Sequence, residues 1–121
     1  MKKVLLILCF LLPSFGYSQS RADVENTLDR FCEKFFSECF SGRSYKNITV
    51  SSFDVDNENQ QIKAWGTVSC LNYLNLSVSQ NFEATITVRS TGKVIIYFKK
   101  RSSSADGSYY WEDCEKNSED D

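Results

Sequence analysis

The sequence predicts an α+β domain: one N-terminal helix packed on a four- to five-stranded antiparallel meander sheet, braced by disulfides. Two observations predict the layers. The apolar period is 3.6 residues over positions 22–40 and becomes two from position 47 onward. The period-two stretches are joined by short polar turns, which is how consecutive antiparallel strands connect. A third observation predicts the bracing: an even number of cysteines remains once the leader is set aside.

The leader comes first. Lys2 and Lys3 precede an apolar run over residues 4–12, which Pro13 ends. Gly16 and Ser18 are small residues placed for a cut before Gln19. This is the pattern of a cleaved signal peptide, residues 1–18. The run spans about 14 Å as a helix, against roughly 30 Å of bilayer hydrocarbon. The expected product is secreted or periplasmic, with no stable membrane anchor after signal removal. Cys9 follows the bulky Leu8, where a lipidated cysteine would want a small neighbour.

A single domain over residues 19–114 and an acidic, disordered tail over residues 115–121 are expected to follow. Residues 19–111 carry 11 basic and 10 acidic side chains, whereas residues 112–121 carry six acids and one lysine. The acidity therefore belongs to the tail. No basic excess supports nucleic-acid binding, and the cluster Lys99-Lys100-Arg101 reads as an exposed strand end.

In the helix, Val24, Leu28, Phe31, Phe35 and Cys39 follow the helical period, with Cys32 on the same stripe and Phe36 and Phe40 widening it. Ser20 is placed to cap it, and Gly42 to stop it. The phenylalanines read as core.

Cys32, Cys39, Cys70 and Cys114 are expected to form two disulfides, with three possible pairings. Along an intact helix Cys32 and Cys39 stand about 10 Å apart, beyond disulfide reach. Both would then bridge to the sheet; a break near Ser37 would instead allow a local bridge. No C-x-x-C occurs, so neither a zinc knuckle nor a redox motif is expected.

The sheet reads as strands over residues 47–56, 61–74, 78–90, 93–100 and 108–114. A change of phase at Ser51-Ser52 predicts a bulge in the first, and Thr91-Gly92 a hairpin turn. Ile62, Ala64, Val68 and Cys70 share the inward phase, as do Phe82, Ala84, Ile86 and Val88, and then Val94, Ile96 and Phe98. The order of elements resembles cystatin-like and helix-grip domains, a likeness of architecture that carries no function.

Chemistry is mostly excluded. The sequence contains no histidine, so no Ser-His-Asp or Cys-His pair and no His-ligated metal can form. Asp54, Asp56 and Glu58 begin like a calcium loop, but Asn59 and Trp65 stand where glycine and glutamate are required. Neither a cofactor nor a metal site is expected. The feature that remains is an aromatic outward phase, with Trp65, Tyr73, Tyr97, Tyr109 and Trp111 as candidate binding residues. The expected function is a small exported binding or interaction module without catalytic activity. Its partner would be an extracytoplasmic protein or a small ligand. The alternative is a ligand-carrying or hydrolytic pocket between helix and sheet.

Overall fold

The computed structural model describes residues 20–40, 43–72, 74–104 and 106–117. The expected signal peptide, the expected helix stop at Gly42 and the candidate Tyr73 lie outside the described residues. One helix, α1 (Arg21–Cys39), precedes five strands: β1 (Tyr45–Asp56), β2 (Gln61–Leu71), β3 (Ser77–Val88), β4 (Val94–Ser103) and β5 (Tyr109–Asn117). The strands form one antiparallel sheet in sequence order, β1-β2-β3-β4-β5, with α1 on one face.

Helix α1 starts where Ser20 Oγ accepts a hydrogen bond from the Asp23 N–H at 3.1 Å, satisfying one of the first turn's free donors. Its buried stripe is Val24, Leu28, Phe31, Cys32, Phe35 and Phe36. These side chains meet the inward residues of the sheet, and the aromatic rings interlock. Phe98 lies 5.8 Å from Phe31, 6.0 Å from Phe40 and 5.2 Å from Phe82, centroid to centroid. Offset and tilted pairs of this kind add to the apolar area that they bury.

The helix also caps an edge. The bulge between Val50 and Ser52 leaves Val50 with backbone groups to satisfy. Its N–H donates to Glu25 Oε2 at 2.8 Å and its carbonyl accepts from Arg21 at 3.2 Å. Arg21 and Glu25 pair with each other at 2.8 Å, closing the ring. Opposite the bulge, Gly66 is required by space: a Cβ there would lie 2.0 Å from the Thr49 carbonyl oxygen.

Three expectations need correction. One disulfide forms rather than two: Cys39 bridges to Cys114, while Cys32 and Cys70 are free thiols buried in the core. The bridge runs from helix to sheet because α1 continues unbroken to Cys39.

Residues 115–117 of the expected tail are ordered. Glu115, Lys116 and Asn117 belong to β5 and pair with Tyr97, Ile96 and Ile95. Lys116 also reaches Glu38 on the helix, so polar residues are held where no apolar pattern announced a strand. Finally, β4 does not end in an exposed basic cluster. Lys100 and Ser102 occupy inward positions and are closed off from solvent. Lys100 can be buried because Glu112 faces it across the β4–β5 pair.

Candidate functional site

The sheet has a face that α1 does not cover. On β2 it carries Lys63 and Trp65, on β3 Asn81, Glu83 and Thr85, on β4 Tyr97, Lys99 and Arg101, and on β5 Tyr109, Trp111 and Asp113. Strand alternation puts them on one side, opposite Ile62, Ala64, Phe82, Ala84 and Phe98. Trp65, Tyr97, Tyr109 and Trp111 therefore share a face. Trp65 and Tyr97 are half-buried among their neighbours, while Tyr109 and Trp111 are 65% and 45% exposed. The described C-terminal residues, 109–117, do not fold across this face; they join the sheet as its edge strand.

Register joins the side chains into a connected surface. Trp65, Glu83, Lys99 and Asp113 are successive cross-strand neighbours. Lys99 pairs with Glu83 at 3.2 Å and sits over the Trp111 ring at 4.9 Å. The Tyr97 hydroxyl donates to Asp113 at 2.8 Å, and this bond to a carboxylate raises the phenol's pKa. Arg101 lies over Tyr109, its guanidinium carbon 4.3 Å from the ring centroid. Each aromatic residue of β5 on this face thus carries a cation from β4.

Two grooves open on the same face. One, of about 230 Å³, is lined by Lys63, Trp65, Glu83, Thr85, Tyr97 and Lys99. The other, of about 450 Å³, lies toward the β4–β5 turn and is lined by Ser79, Gln80, Asn81, Arg101, Ser103 and Tyr109.

The sequence alone did not single out the cations on this face or Tyr110, which is 43% exposed on the other side of β5. Lys99 and Arg101 stand at alternate positions of a strand and project with Tyr97. That parity was the available signal; reading the basic triplet as one exposed cluster hid it.

The covered face holds a polar cluster of a different kind. Lys100 Nζ donates to Ser102 Oγ at 2.7 Å and to Glu112 Oε1 at 2.9 Å, and lies 5.0 Å from the Phe40 ring centroid. Ser102 also donates to Glu112. Burial pushes the Glu112 carboxyl upward. Its bonds from Ser102 and Lys100, with the charges of Lys100 and Arg43, outweigh that and hold its pKa below the ordinary 4.5. A serine beside a lysine is a nucleophile–base combination. Here the lysine is ion-paired and both residues are shut off from solvent, so the cluster binds β4 to β5 and offers nothing to a substrate.

The free thiols are similarly inert. Burial is the main cause that raises the pKa of both Cys32 and Cys70, with the Asp29 charge adding to the effect at Cys32. Asp56 uses its carboxylate to close a turn, accepting from the Asn59 N–H and side-chain amide. Among the described residues, no group of three or more potential ligands is placed to hold a metal ion, and no helix is long and apolar enough to cross a membrane.

No protein-family model, curated protein or solved structure matches the chain. Any functional reading therefore rests on the geometry of the two faces.

Proposed function

We propose that this chain is a small exported binding module, stabilised by its disulfide and without catalytic activity. It would engage an extracytoplasmic ligand through the helix-free face of its sheet. The observation that carries this reading is the exposure of Tyr109 and Trp111 beside the half-buried Trp65 and Tyr97. A half-exposed sheet face is ordinarily lined by small polar and charged residues. Large rigid rings that stay in water lose little side-chain freedom on binding and supply much contact area. The expected signal peptide and the Cys39–Cys114 bridge both suit an oxidising extracytoplasmic compartment. The alternative, a pocket between helix and sheet, has less support. Phe31, Phe36, Phe40, Phe82 and Phe98 occupy that space.

The test is retention of envelope or medium components of the native host on the immobilised protein. A Tyr109→Ala/Trp111→Ala variant, with folding checked by circular dichroism, is expected to lose that retention. If the folded double variant retains the same material as the wild type, the helix-free face is not the binding surface.

A further inference from the structure

The larger groove on the helix-free face differs from the rest of that face in its charge. Lys99 is neutralised by Glu83 at 3.2 Å. Lys63 stands across the strand pair from Asp54. Arg101 is exposed, and no carboxylate of the described residues pairs with it. Its guanidinium is instead laid on the Tyr109 ring at 4.3 Å. A guanidinium held against an aromatic face keeps its edge donors free and has lost part of its rotamer freedom already. Such an edge matches the two oxygens of a carboxylate. Around it the groove offers the hydroxyls of Ser79 and Ser103 and the side-chain amide of Asn81, and no acidic side chain lines it.

We propose that this groove binds an acidic oligosaccharide, with a uronic-acid carboxylate on Arg101. The proposal rests on the binding-module reading above and gives that face a ligand class. Ring hydroxyls meet Ser79, Asn81 and Ser103, which can each donate and accept. An adjoining sugar ring lays its apolar C–H face on Trp111, which is Arg101's partner across the strand pair and is 45% exposed.

Two features favour a sugar over an acidic peptide. The groove's volume of about 450 Å³ is lined chiefly by polar groups, with Val78 as the one aliphatic member, so it offers no apolar slots for side chains. The flat exposed rings of Tyr109 and Trp111 match ring faces.

The experiment titrates the full chain with oligomers of galacturonate, glucuronate and mannuronate. Binding is followed by calorimetry and by tryptophan emission. The chain has two tryptophans, Trp65 and Trp111, both on this face. At least one uronate oligomer is expected to bind. Methyl esterification of that oligomer, or Arg101→Gln, is expected to weaken it at least tenfold, and Asn81→Ala severalfold. Both positions are exposed, and circular dichroism checks that each variant folds.

The proposal is overturned if no uronate oligomer binds, if the methyl ester binds as tightly, or if Arg101→Gln is without effect. It is equally overturned if tri-glutamate or inorganic sulfate competes as well as the sugar. Should the sugar fail while Tyr109 and Trp111 still govern retention of host material, the acidic-sugar assignment falls and the binding-module reading stands. If both fail, both fall.

Discussion

Consecutive residues of β4 separate the two faces of the sheet. Phe98 is fully buried, ringed by Phe31, Phe40 and Phe82. Tyr97, one position earlier, projects from the other face and gives its hydroxyl to Asp113. The two side chains share a strand, a ring and nearly the same size. They differ in what covers them, because a single helix can shield one face only. Aromatic content is therefore no measure of core. On the covered face it is packed ring against ring, and on the other it is paired with cations and left partly in water.

The sharpest way to break this contrast is to truncate both neighbours. Phe98→Ala is expected to cost about 3–5 kcal/mol in urea unfolding, because it removes transfer energy and leaves a cavity. Tyr97→Ala is expected to cost less than about 1 kcal/mol. Similar costs at the two positions would mean that the faces are energetically equivalent.

Next in size is the bridge between the layers. Cys39 and Cys114 are 75 residues apart in sequence. Replacing both by serine is expected to lower stability by about 2–4 kcal/mol, mainly through the freed unfolded chain. Hydrogen exchange should speed up most in β5, since that edge strand is tied to the helix through Cys114 and Lys116. Uniform acceleration across the sheet would contradict this.

A third test sharpens the distinction between buried and exposed charge. Glu112→Ala leaves Lys100 buried without its carboxylate. A loss of about 2 kcal/mol is expected, below the fully buried range because Glu112 keeps some exposure. The pH dependence follows from the lowered carboxyl. The stability that Glu112 contributes is complete above its ordinary value of 4.5 and is lost as pH falls through its lower folded value. Wild-type stability should therefore decline below about pH 4.5 more steeply than that of Glu112→Gln. Parallel acid titrations of unfolding midpoints would expose any error. The smallest effect is expected from Trp111→Ala, less than about 1 kcal/mol, despite the size of the ring it removes.

The helix and the order of the strands were legible because both depend on periodicity. Val24 to Cys39 follow one stripe, and Phe82 to Val88 alternate without a break. The bulge at Ser51 was legible from a change of phase. The end of β5 was not, because Glu115 to Asn117 are held by ladder hydrogen bonds and the Lys116–Glu38 pair rather than by apolar burial. Cysteine counting identified the residues able to bridge, yet an even count does not decide how many thiols are oxidised. Cys32 and Cys70 serve as small buried apolar side chains. On the helix-free face, strand parity placed the aromatic residues. The role of Arg101 could not be read in advance, since it depends on which cations find carboxylates once the register is set.

The Cys39–Cys114 bridge has a consequence for how the chain responds to proteolysis. It closes a covalent ring that contains β1 to β4, all four hairpin turns and β5 as far as Cys114. Exposed turns are the preferred sites of cleavage. A single cut in any of these turns opens the ring and leaves every strand attached to the helix through one sulfur link or the intact backbone. Two cuts are needed to release a peptide, so a nicked copy can keep its sheet assembled.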